Sequence, residues 1–223
     1  MASPMDLGAG IRHECGERWN ALAFRQPRPV LASAPVGGGV GKAARVVNLC
    51  VGGDGSQAAC DDPDGTFAAL AAERGWQGPL VGLMTGVAAD QAVAAGSLQG
   101  PAGWAVLATA GLANAHRAGY PAPEPSAAGT INIIAVTDLG LTGAARAEAL
   151  GLVAETKAAL LADLGMRVPG QAYLASGTGT DAVAIVAGPG ESVPYTGYHT
   201  DSGQNLAASV RQAVAASLGQ SPA

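Results

Sequence analysis

The amino-acid sequence predicts an α/β (mixed α+β) fold, a single layered domain with a mixed sheet flanked by helices. Residues 129–138 form a β-branched run between glycines, which is typical of a buried central strand. Residues 142–164 place apolar side chains at 3.6-residue spacing, which indicates an amphipathic helix. Strand-like and helix-like segments alternate through the chain. We therefore assign residues 1–223 to one domain and expect 1–15 and 219–223 to be flexible tails.

Five further strands are expected before the central one, because each segment is rich in apolar or aromatic residues and is bounded by Gly or Pro. They are residues 19–25, 30–36, 43–51, 81–87 and 104–112. Pro27 and Pro29 separate the first two, since proline cannot donate to a β ladder. A short helix is predicted over 66–74, with Asp64 as its cap. Residues 119–128 are rich in Pro and Ala, which predicts a surface loop.

The central strand carries polar side chains among its isoleucines, namely Thr130, Asn132, Thr137 and Asp138. A buried polar group without a hydrogen bond destabilises a protein by about 1–3 kcal/mol, so each of them needs a partner. These side chains either bond to neighbouring loops and cap the next helix, or they reach into a pocket. The sequence leaves both interpretations open.

The helix predicted over 142–164 carries Lys157 on its apolar face. A lysine at the edge of an apolar stripe extends its ammonium group to water, whereas a lysine within the stripe points into a polar site. Both interpretations are open. Beyond the helix, residues 172–190 predict a short strand, a Gly/Thr loop and the apolar run 182–187, and residues 206–218 predict a closing helix.

Composition excludes several classes of function. The formal net charge is −5 and no basic residues cluster, so we expect no nucleic-acid partner. No apolar run approaches the roughly 18–20 residues of a membrane span and the N-terminus lacks a signal-peptide pattern, so we expect a cytoplasmic protein with no membrane partner. Cys15, Cys50 and Cys60 show no Cys-x-x-Cys spacing, which argues against a disulfide framework or a structural zinc site. No metal site is expected, and formation of a homo-oligomer is left open.

Two segments resemble phosphate-binding motifs but lack residues or structure that those motifs require. Gly39-Val-Gly-Lys-Ala has Val36 and Ala43 where a P-loop needs Gly and Ser or Thr. Gly177-Thr-Gly-Thr-Asp-Ala182 has the spacing of a dinucleotide fingerprint, but a β-prone run follows it in place of a helix. What remains is a loop of hydroxyls and backbone N–H groups beside Asp181. This loop is either a polar β-turn or a site suited to amide or phosphate chemistry.

His199 is the histidine with the most polar neighbours in sequence, since Thr196, Thr200 and Asp201 lie close to it. Histidine titrates near neutral pH and is the commonest general base, and a carboxylate can orient it. A structural histidine is the alternative. Neither a Gly-x-Ser-x-Gly elbow nor a His-x-x-x-His pair occurs, so the common hydrolase signatures are absent from the sequence.

Six motifs in a fixed order carry a resemblance to a known family. They are Leu31-Ala-Ser-Ala-Pro before a glycine run, Ala108-Thr-Ala-Gly-Leu-Ala-Asn114-Ala, Gly129-Thr-Ile-Asn132-Ile-Ile-Ala-Val-Thr-Asp138, Glu155-Thr-Lys157, Ser176-Gly-Thr-Gly-Thr-Asp181-Ala-Val and Tyr195-Thr-Gly-Tyr-His199-Thr. By these motifs the chain resembles the adenosylcobinamide amidohydrolase (CbiZ) family of corrinoid salvage. The resemblance implies hydrolysis of the amide bond that joins the aminopropanol arm to the corrin ring of adenosylcobinamide. The implied products are adenosylcobyric acid and 1-amino-2-propanol, and the implied purpose is cobamide remodelling.

The resemblance also implies which residues form the site. The catalytic residues would be His199 or Asp181 as the base, with Lys157 as a source of positive charge. The substrate-binding residues would be Gly177, Thr178, Gly179 and Thr180 around the oxyanion, and Asn114, Thr130, Asn132 and Asp138 at the amides of the corrin periphery. The corrinoid is the substrate, and no cofactor is assigned. Gly197 stands where a corrinoid carrier has the Asp of Asp-x-His-x-x-Gly, so His199 is not expected to ligate cobalt.

Two other functions fit the same residues. A non-catalytic corrinoid-binding protein of the same fold would need the pocket but no base near the substrate amide. A hydrolase or transferase could instead act on another amide or phosphate substrate, and residues 120–126 are where we expect specificity to change. Convergence of the polar loops on a base would favour an enzyme over a binding protein.

Overall fold

In the computed structural model of the chain, the described residues are 5–53, 56–100, 102–121 and 129–221. The helices, in chain order, are α1 (Ser56–Asp61), α2 (Pro63–Arg74), α3 (Gly143–Asp163) and α4 (Asp201–Ser217). The strands are β1 (Met5–Gly8), β2 (Ile11–Cys15), β3 (Trp19–Ala32), β4 (Gly39–Cys50), β5 (Leu80–Thr85), β6 (Val93–Ser97), β7 (Trp104–Ala110), β8 (Ala115–His116), β9 (Ile131–Thr137), β10 (Gly140–Leu141), β11 (Gly177–Thr178), β12 (Ala182–Val186) and β13 (Ser192–Val193). The predicted α/β class is confirmed.

Nine strands of the described chain form one mixed sheet, in the order β1-β2-β3-β12-β9-β7-β6, with β4 and β5 attached through β3. β12 pairs parallel with β9 and antiparallel with β3. β4 pairs antiparallel with β3 and parallel with β5. The sheet curves until β5 approaches β9, where the side-chain amide of Asn132 donates to the Met84 carbonyl at 2.8 Å. The curved sheet encloses one part of the core, and the helices cover another.

β9 is the predicted central strand, and all seven of its residues are buried. Ile131, Ile133 and Ala135 pack in the core under α3 and α4. Ile134 and Val136 point to the opposite face, into the core enclosed by β3, β4 and β5. This alternation follows from the two-residue period of a strand, so β9 is apolar on both faces because both faces are covered.

The helix predicted over 142–164 is confirmed as α3. Its cap is Thr142, whose hydroxyl accepts from the Ala145 N–H at 3.1 Å. Because β9 and β12 are parallel, the connection between them must run back along the sheet, and α3 makes this return. The carboxyl end of α3 therefore lies near the amino ends of β9 and β12.

The two strands expected at 19–25 and 30–36 are one continuous strand, β3. Its pairing with β4 shifts register between Ala23 and Arg28. Pro27 lies in this interval and has no N–H to donate, which accounts for a local break in the ladder. Because β3 pairs again with β4 beyond this interval, with Pro29 opposite Lys42, the interruption at Pro27 does not end the strand.

Two helices begin earlier than predicted, because the capping residue lies further upstream. Asp62, and not Asp64, caps α2, since its carboxylate accepts from the Gly65 N–H at 2.9 Å. Thr200 caps α4 by accepting from the Gly203 N–H at 2.9 Å. The closing helix thus starts at residue 201 rather than 206.

The flexible tail expected over 1–15 does not hold from Met5 onward, because β1 and β2 extend the sheet. β2 pairs antiparallel with β3, and Ile11 is fully buried. The tail expected at 219–223 stays a prediction, and its last two residues lie outside the described ranges. Most of the loop predicted at 119–128 also lies outside them. No helix within these ranges has the length and apolar character needed to cross a membrane.

Candidate functional site

An ion pair between Lys157 and Asp181 lies at the amino ends of β9 and β12. Lys157 Nζ donates to Asp181 Oδ2, and each side chain is 11% exposed. The Ile131 N–H donates to Oδ1 at 2.8 Å, and the Thr178 N–H donates to Oδ2 at 2.9 Å. The Thr178 hydroxyl donates to Oδ1 as well. The carboxylate thus accepts four hydrogen bonds, which compensate for its removal from water.

The topology brings the two charges together. Asp181 immediately precedes β12, and β12 runs parallel to β9, so Asp181 lies beside Ile131 at the start of β9. α3 returns along the sheet and carries Lys157 to the same edge. The sequence is compatible with an ammonium group that extends to water or one that points into a polar site, and the Lys157 ammonium group points into a polar site. Lys157 is one of two lysines in the chain, and the other, Lys42, is exposed on β4.

Glycines let the backbone pass close to these polar groups. A Cβ built on Gly177 would lie 2.4 Å from Asp181 Oδ2 and 2.8 Å from Lys157 Nζ. A Cβ built on Gly179 would lie 3.2 Å from Asn114 Nδ2. Any side chain at position 177 would therefore displace the ion pair, which explains why the loop carries glycine there.

Asn114, Thr130 and Thr180 complete the surroundings of the ion pair. The hydroxyls of Thr130 and Thr180 share a hydrogen bond of 2.8 Å. The Gly179 N–H donates to the Asn114 carbonyl at 3.3 Å. Within the described ranges the half-buried side-chain amide of Asn114 makes no hydrogen bond to the protein. We call this group the Asp181 cluster; its members are Asn114, Thr130, Lys157, Gly177, Thr178, Gly179, Thr180 and Asp181.

Asn132 lies next to the Asp181 cluster, but its amide is used inside the sheet. Its Nδ2 donates to Asn48 Oδ1 and to the Met84 carbonyl, both at 2.8 Å, and its Oδ1 accepts from the Ala182 N–H at 3.1 Å. Asn48 Nδ2 in turn donates to Thr109 Oγ1 at 2.8 Å. Asn132 is 1% exposed. This buried amide network joins five strands, and a contact between Asn132 and a substrate stays a prediction.

Asp138 lies beyond the opposite end of β9 from Asp181. Its carboxylate pairs with Arg28 at 3.1 Å. The buried Arg28 guanidinium also donates to the Thr137 carbonyl at 3.2 Å and to the Ala9 carbonyl at 2.7 Å. Because a strand rises about 3.3 Å per residue, the ends of β9 are roughly 20 Å apart. The structure therefore does not bring Asp138 to the cluster.

His199 is exposed and also lies away from the cluster. It precedes α4, whose first turn contacts the far end of β9: Trp104 pairs with Thr137 there, and its indole N–H donates to Ser202 Oγ at 2.9 Å. The polar neighbours that drew attention to His199 have structural bonds, since Thr200 caps α4 and the Thr196 hydroxyl donates to the protein backbone. The structure does not bring His199 to Asp181, and its catalytic role stays a prediction.

His116 is a polar residue of this site that the sequence did not single out. It forms β8 with Ala115, and β8 pairs antiparallel with β11 so that His116 lies opposite Gly177. Directly opposed residues of an antiparallel pair place their side chains on one face of the sheet. On the Gly177 side, that face holds Lys157 and Asp181. The available signal was the position of His116 two residues after Asn114, directly after one of the six motifs.

Aromatic and cationic side chains continue outward from His116 and Gly177. The rings of Tyr120 and Tyr173 lie 4.5 Å apart, and the Arg117 guanidinium lies 5.3 Å from the Tyr120 ring centre. The cluster and this rim together offer an ammonium, a carboxylate, hydroxyls, an amide and an imidazole. Such groups can polarise a carbonyl and transfer protons. Across the described ranges, no three His, Cys, Asp or Glu side chains lie close enough to hold a metal ion.

The model of the adenosylcobinamide amidohydrolase (CbiZ) family matches residues 6–222 of the chain. The chain belongs to this family. It is 40% identical over 145 residues to the adenosylcobinamide amidohydrolase of Halobacterium salinarum, an alignment that covers 61% of this chain and 57% of that protein. It is 40% identical over 91 residues to an uncharacterized protein of Methanocaldococcus jannaschii, which covers 40% of this chain and 36% of that protein. The chain thus spans about a third to somewhat over half the length of these curated relatives.

The family resemblance inferred from the six motifs is confirmed by this match. A crystal structure of a protein from Pyrococcus horikoshii aligns with 93% of this CbiZ-family chain and 79% of its own length. Its TM-score is 0.46 and its sequence identity is 13%.

Proposed function

We propose that this member of the adenosylcobinamide amidohydrolase family hydrolyses the amide that joins the aminopropanol arm to the corrin ring of adenosylcobinamide. The products would be adenosylcobyric acid and 1-amino-2-propanol, formed in corrinoid salvage. Membership of the family supports the class of reaction. The observation that carries the proposal is the buried ion pair of Lys157 and Asp181, placed beside the hydroxyl of Thr178 and the amide of Asn114.

In the proposed reaction, water adds to the amide carbonyl carbon. A C–O bond forms, the carbonyl electron pair moves onto oxygen, the C–N bond breaks, and the amine leaves with a proton that came from the water. Lys157 is placed to stabilise the oxyanion. Asp181 is the one acceptor found for its three N–H groups among the described residues, so two N–H groups are available to a substrate oxygen. The Asn114 amide can bind a second amide of the substrate.

Asp181 is better suited to holding this arrangement than to accepting a proton. Two of its four hydrogen bonds come from backbone N–H groups of Ile131 and Thr178, which cannot rotate away. Taking a proton would require the loss of one of these bonds or of the bond from Lys157, or a rotation of the Thr178 hydroxyl from donor to acceptor. We therefore propose that Asp181 positions the ammonium group of Lys157 and the hydroxyl of Thr178.

The test is the release of 1-amino-2-propanol when the purified full chain is incubated with adenosylcobinamide, measured by mass spectrometry. We expect Lys157→Met to lower the rate by about 10²–10³-fold, the usual effect of removing one oxyanion donor. Lys42→Met is the matched control, since it removes the other lysine, which is exposed. Asp181→Asn has its own control in Asp163→Asn, because Asp163 pairs with Arg211 on the surface.

Each outcome has a distinct meaning. If the native chain releases no aminopropanol, the proposed reaction is refuted. If it does, but Lys157→Met and Asp181→Asn are as active as their controls, the reaction stands and the assignment of the site fails. A corrinoid absorbance change on mixing, without release, would favour a corrinoid-binding protein instead.

A further inference from the structure

We propose that His116 is the proton-transfer residue of this site, accepting a proton from the attacking water and giving it to the leaving amine. The proposal rests on the amide hydrolysis proposed above. It assigns a catalytic role to a residue of the two-residue strand β8, between Asn114 and the rim formed by Arg117, Tyr120 and Tyr173.

Cross-strand geometry places His116 beside the ion pair. In an antiparallel pair, the Cβ atoms of opposed residues lie about 4.5–5.5 Å apart on the same face. A Cβ on Gly177, which opposes His116, would be 2.4 Å from Asp181 Oδ2. The His116 side chain therefore begins within roughly 8 Å of the ion pair. This distance is short enough for an imidazole, directly or through one water, to serve a substrate amide held by Lys157.

The two other histidines are placed for other roles. His13 Nε2 is hydrogen-bonded to Asn20 Oδ1 at 2.9 Å within the sheet, and His199 is exposed near the far end of β9. His116 is half-buried, and its ring makes no hydrogen bond to any part of the described chain. Both ring nitrogens are thus available, one to accept a proton from water and the other to face solvent or substrate.

The proton that the water loses is the proton that the leaving amine gains. Neutral His116 takes the proton as the water oxygen bonds to the carbonyl carbon, and the resulting imidazolium gives it to the nitrogen as the C–N bond breaks. No oxidant, reductant or second proton donor is needed. The charged groups on the face shared by Gly177 and His116 are Lys157 from α3 and Asp181 from the loop before β12. Arg117, next to His116 in sequence, donates to the Leu174 carbonyl at 3.0 Å. Because a general base must be neutral to act, the pH profile of activity should have an acid limb that depends on this residue.

The test compares His116→Asn with the native chain in the aminopropanol-release assay over a range of pH. We expect kcat/KM to fall by about 10²–10⁴-fold, with loss of the acid limb of the pH profile and little change in KM. His13→Asn is the control and should keep both rate and pH profile. Added imidazole should restore part of the activity of His116→Ala, a rescue that a purely structural role would not give.

Several results would overturn the proposal. If the native chain releases aminopropanol and His116→Asn does so equally well, hydrolysis stands and the role of His116 falls. If His199→Asn, and not His116→Asn, loses the acid limb, the base is at the other end of β9. If the native chain releases nothing, both proposals fail together.

A measurement on the native chain covers the case in which His116→Asn does not fold. Diethyl pyrocarbonate modifies neutral imidazoles, and peptide mass spectrometry separates the three histidines of this sequence. Adenosylcobinamide should slow modification of His116 and leave that of His13 unchanged. Equal modification of His116 with and without the corrinoid would contradict the proposal.

Discussion

Replacing Gly177 with alanine would place a methyl group inside the ion pair of Lys157 and Asp181. The new Cβ would lie 2.4 Å from Asp181 Oδ2, which is 1.0 Å less than the 3.4 Å at which ordinary contact begins. The carboxylate cannot yield easily, because the N–H groups of Ile131 and Thr178 hold it. Moving Lys157 relieves only the 2.8 Å contact with Nζ, so the carboxylate must also give up part of its hydrogen bonding or the backbone at 177 must shift. Overpacking and a weakened buried pair together should lower the free energy of unfolding by about 2–3 kcal/mol.

Urea unfolding followed by circular dichroism measures this change, and thermal unfolding should show a decrease in Tm of roughly 4–12 °C for a chain of this size. Gly151→Ala is the matched control, since Gly151 lies in α3 and a Cβ there meets nothing within 4 Å. That substitution should stabilise the helix by about 0.5–1 kcal/mol. If Gly177→Ala unfolded at the native urea concentration while the control behaved as expected, the close packing around the ion pair would be refuted.

Two further predictions concern other polar groups. Asn132→Leu removes three buried hydrogen bonds and leaves Asn48 Oδ1 without a donor, so urea unfolding should show a loss of about 3–5 kcal/mol in the free energy of unfolding. Asn205→Leu, at an exposed position, is the control and should change that free energy by less than about 0.5 kcal/mol. A small loss at Asn132 would show that the network does not hold the sheet closed. The hydrogen bond from Tyr198 to Glu155 raises the pKa of Tyr198 above its usual 10.0, so Glu155→Gln should lower that pKa in a titration of phenolate absorbance. Since the folded-state pKa is the raised one, the stabilisation is present below the unfolded-state pKa and is lost as the pH rises through the folded-state value; an unchanged titration curve would contradict this.

The features that the sequence predicts well are those with local causes. β9 could be placed because its β-branched residues lie between glycines, and α3 because its apolar side chains repeat along one helix. For Lys157 the sequence leaves two environments open, water at the edge of the apolar stripe or a polar site within it. Its partner Asp181 lies 24 residues away and reaches it through the return of α3, which no local pattern encodes.

The surroundings of His199 and His116 show the same limit. The sequence predicts that Thr200 and Asp201 form the polar environment of His199. Neighbours in sequence can serve the helix itself, however, and here Thr200 caps α4. His116 had no such neighbours in sequence, and its polar environment is supplied across a strand pair by Gly177 and Asp181. A loop residue acquires its surroundings from the fold, so its chemistry cannot be inferred from adjacent letters alone.

The four hydrogen bonds to Asp181 come from three separate parts of the chain: β9, β11 and α3. The amide protons of Ile131 and Thr178 are therefore expected to exchange with deuterium only when these three elements separate, which makes them probes of cooperative opening rather than of local fluctuation. A centre of this kind is preorganised, since its dipoles are fixed before a substrate arrives and need little reorientation as charge develops. The same bonds serve stability and chemistry, so variants that loosen α3 should weaken the site before the sheet itself unfolds.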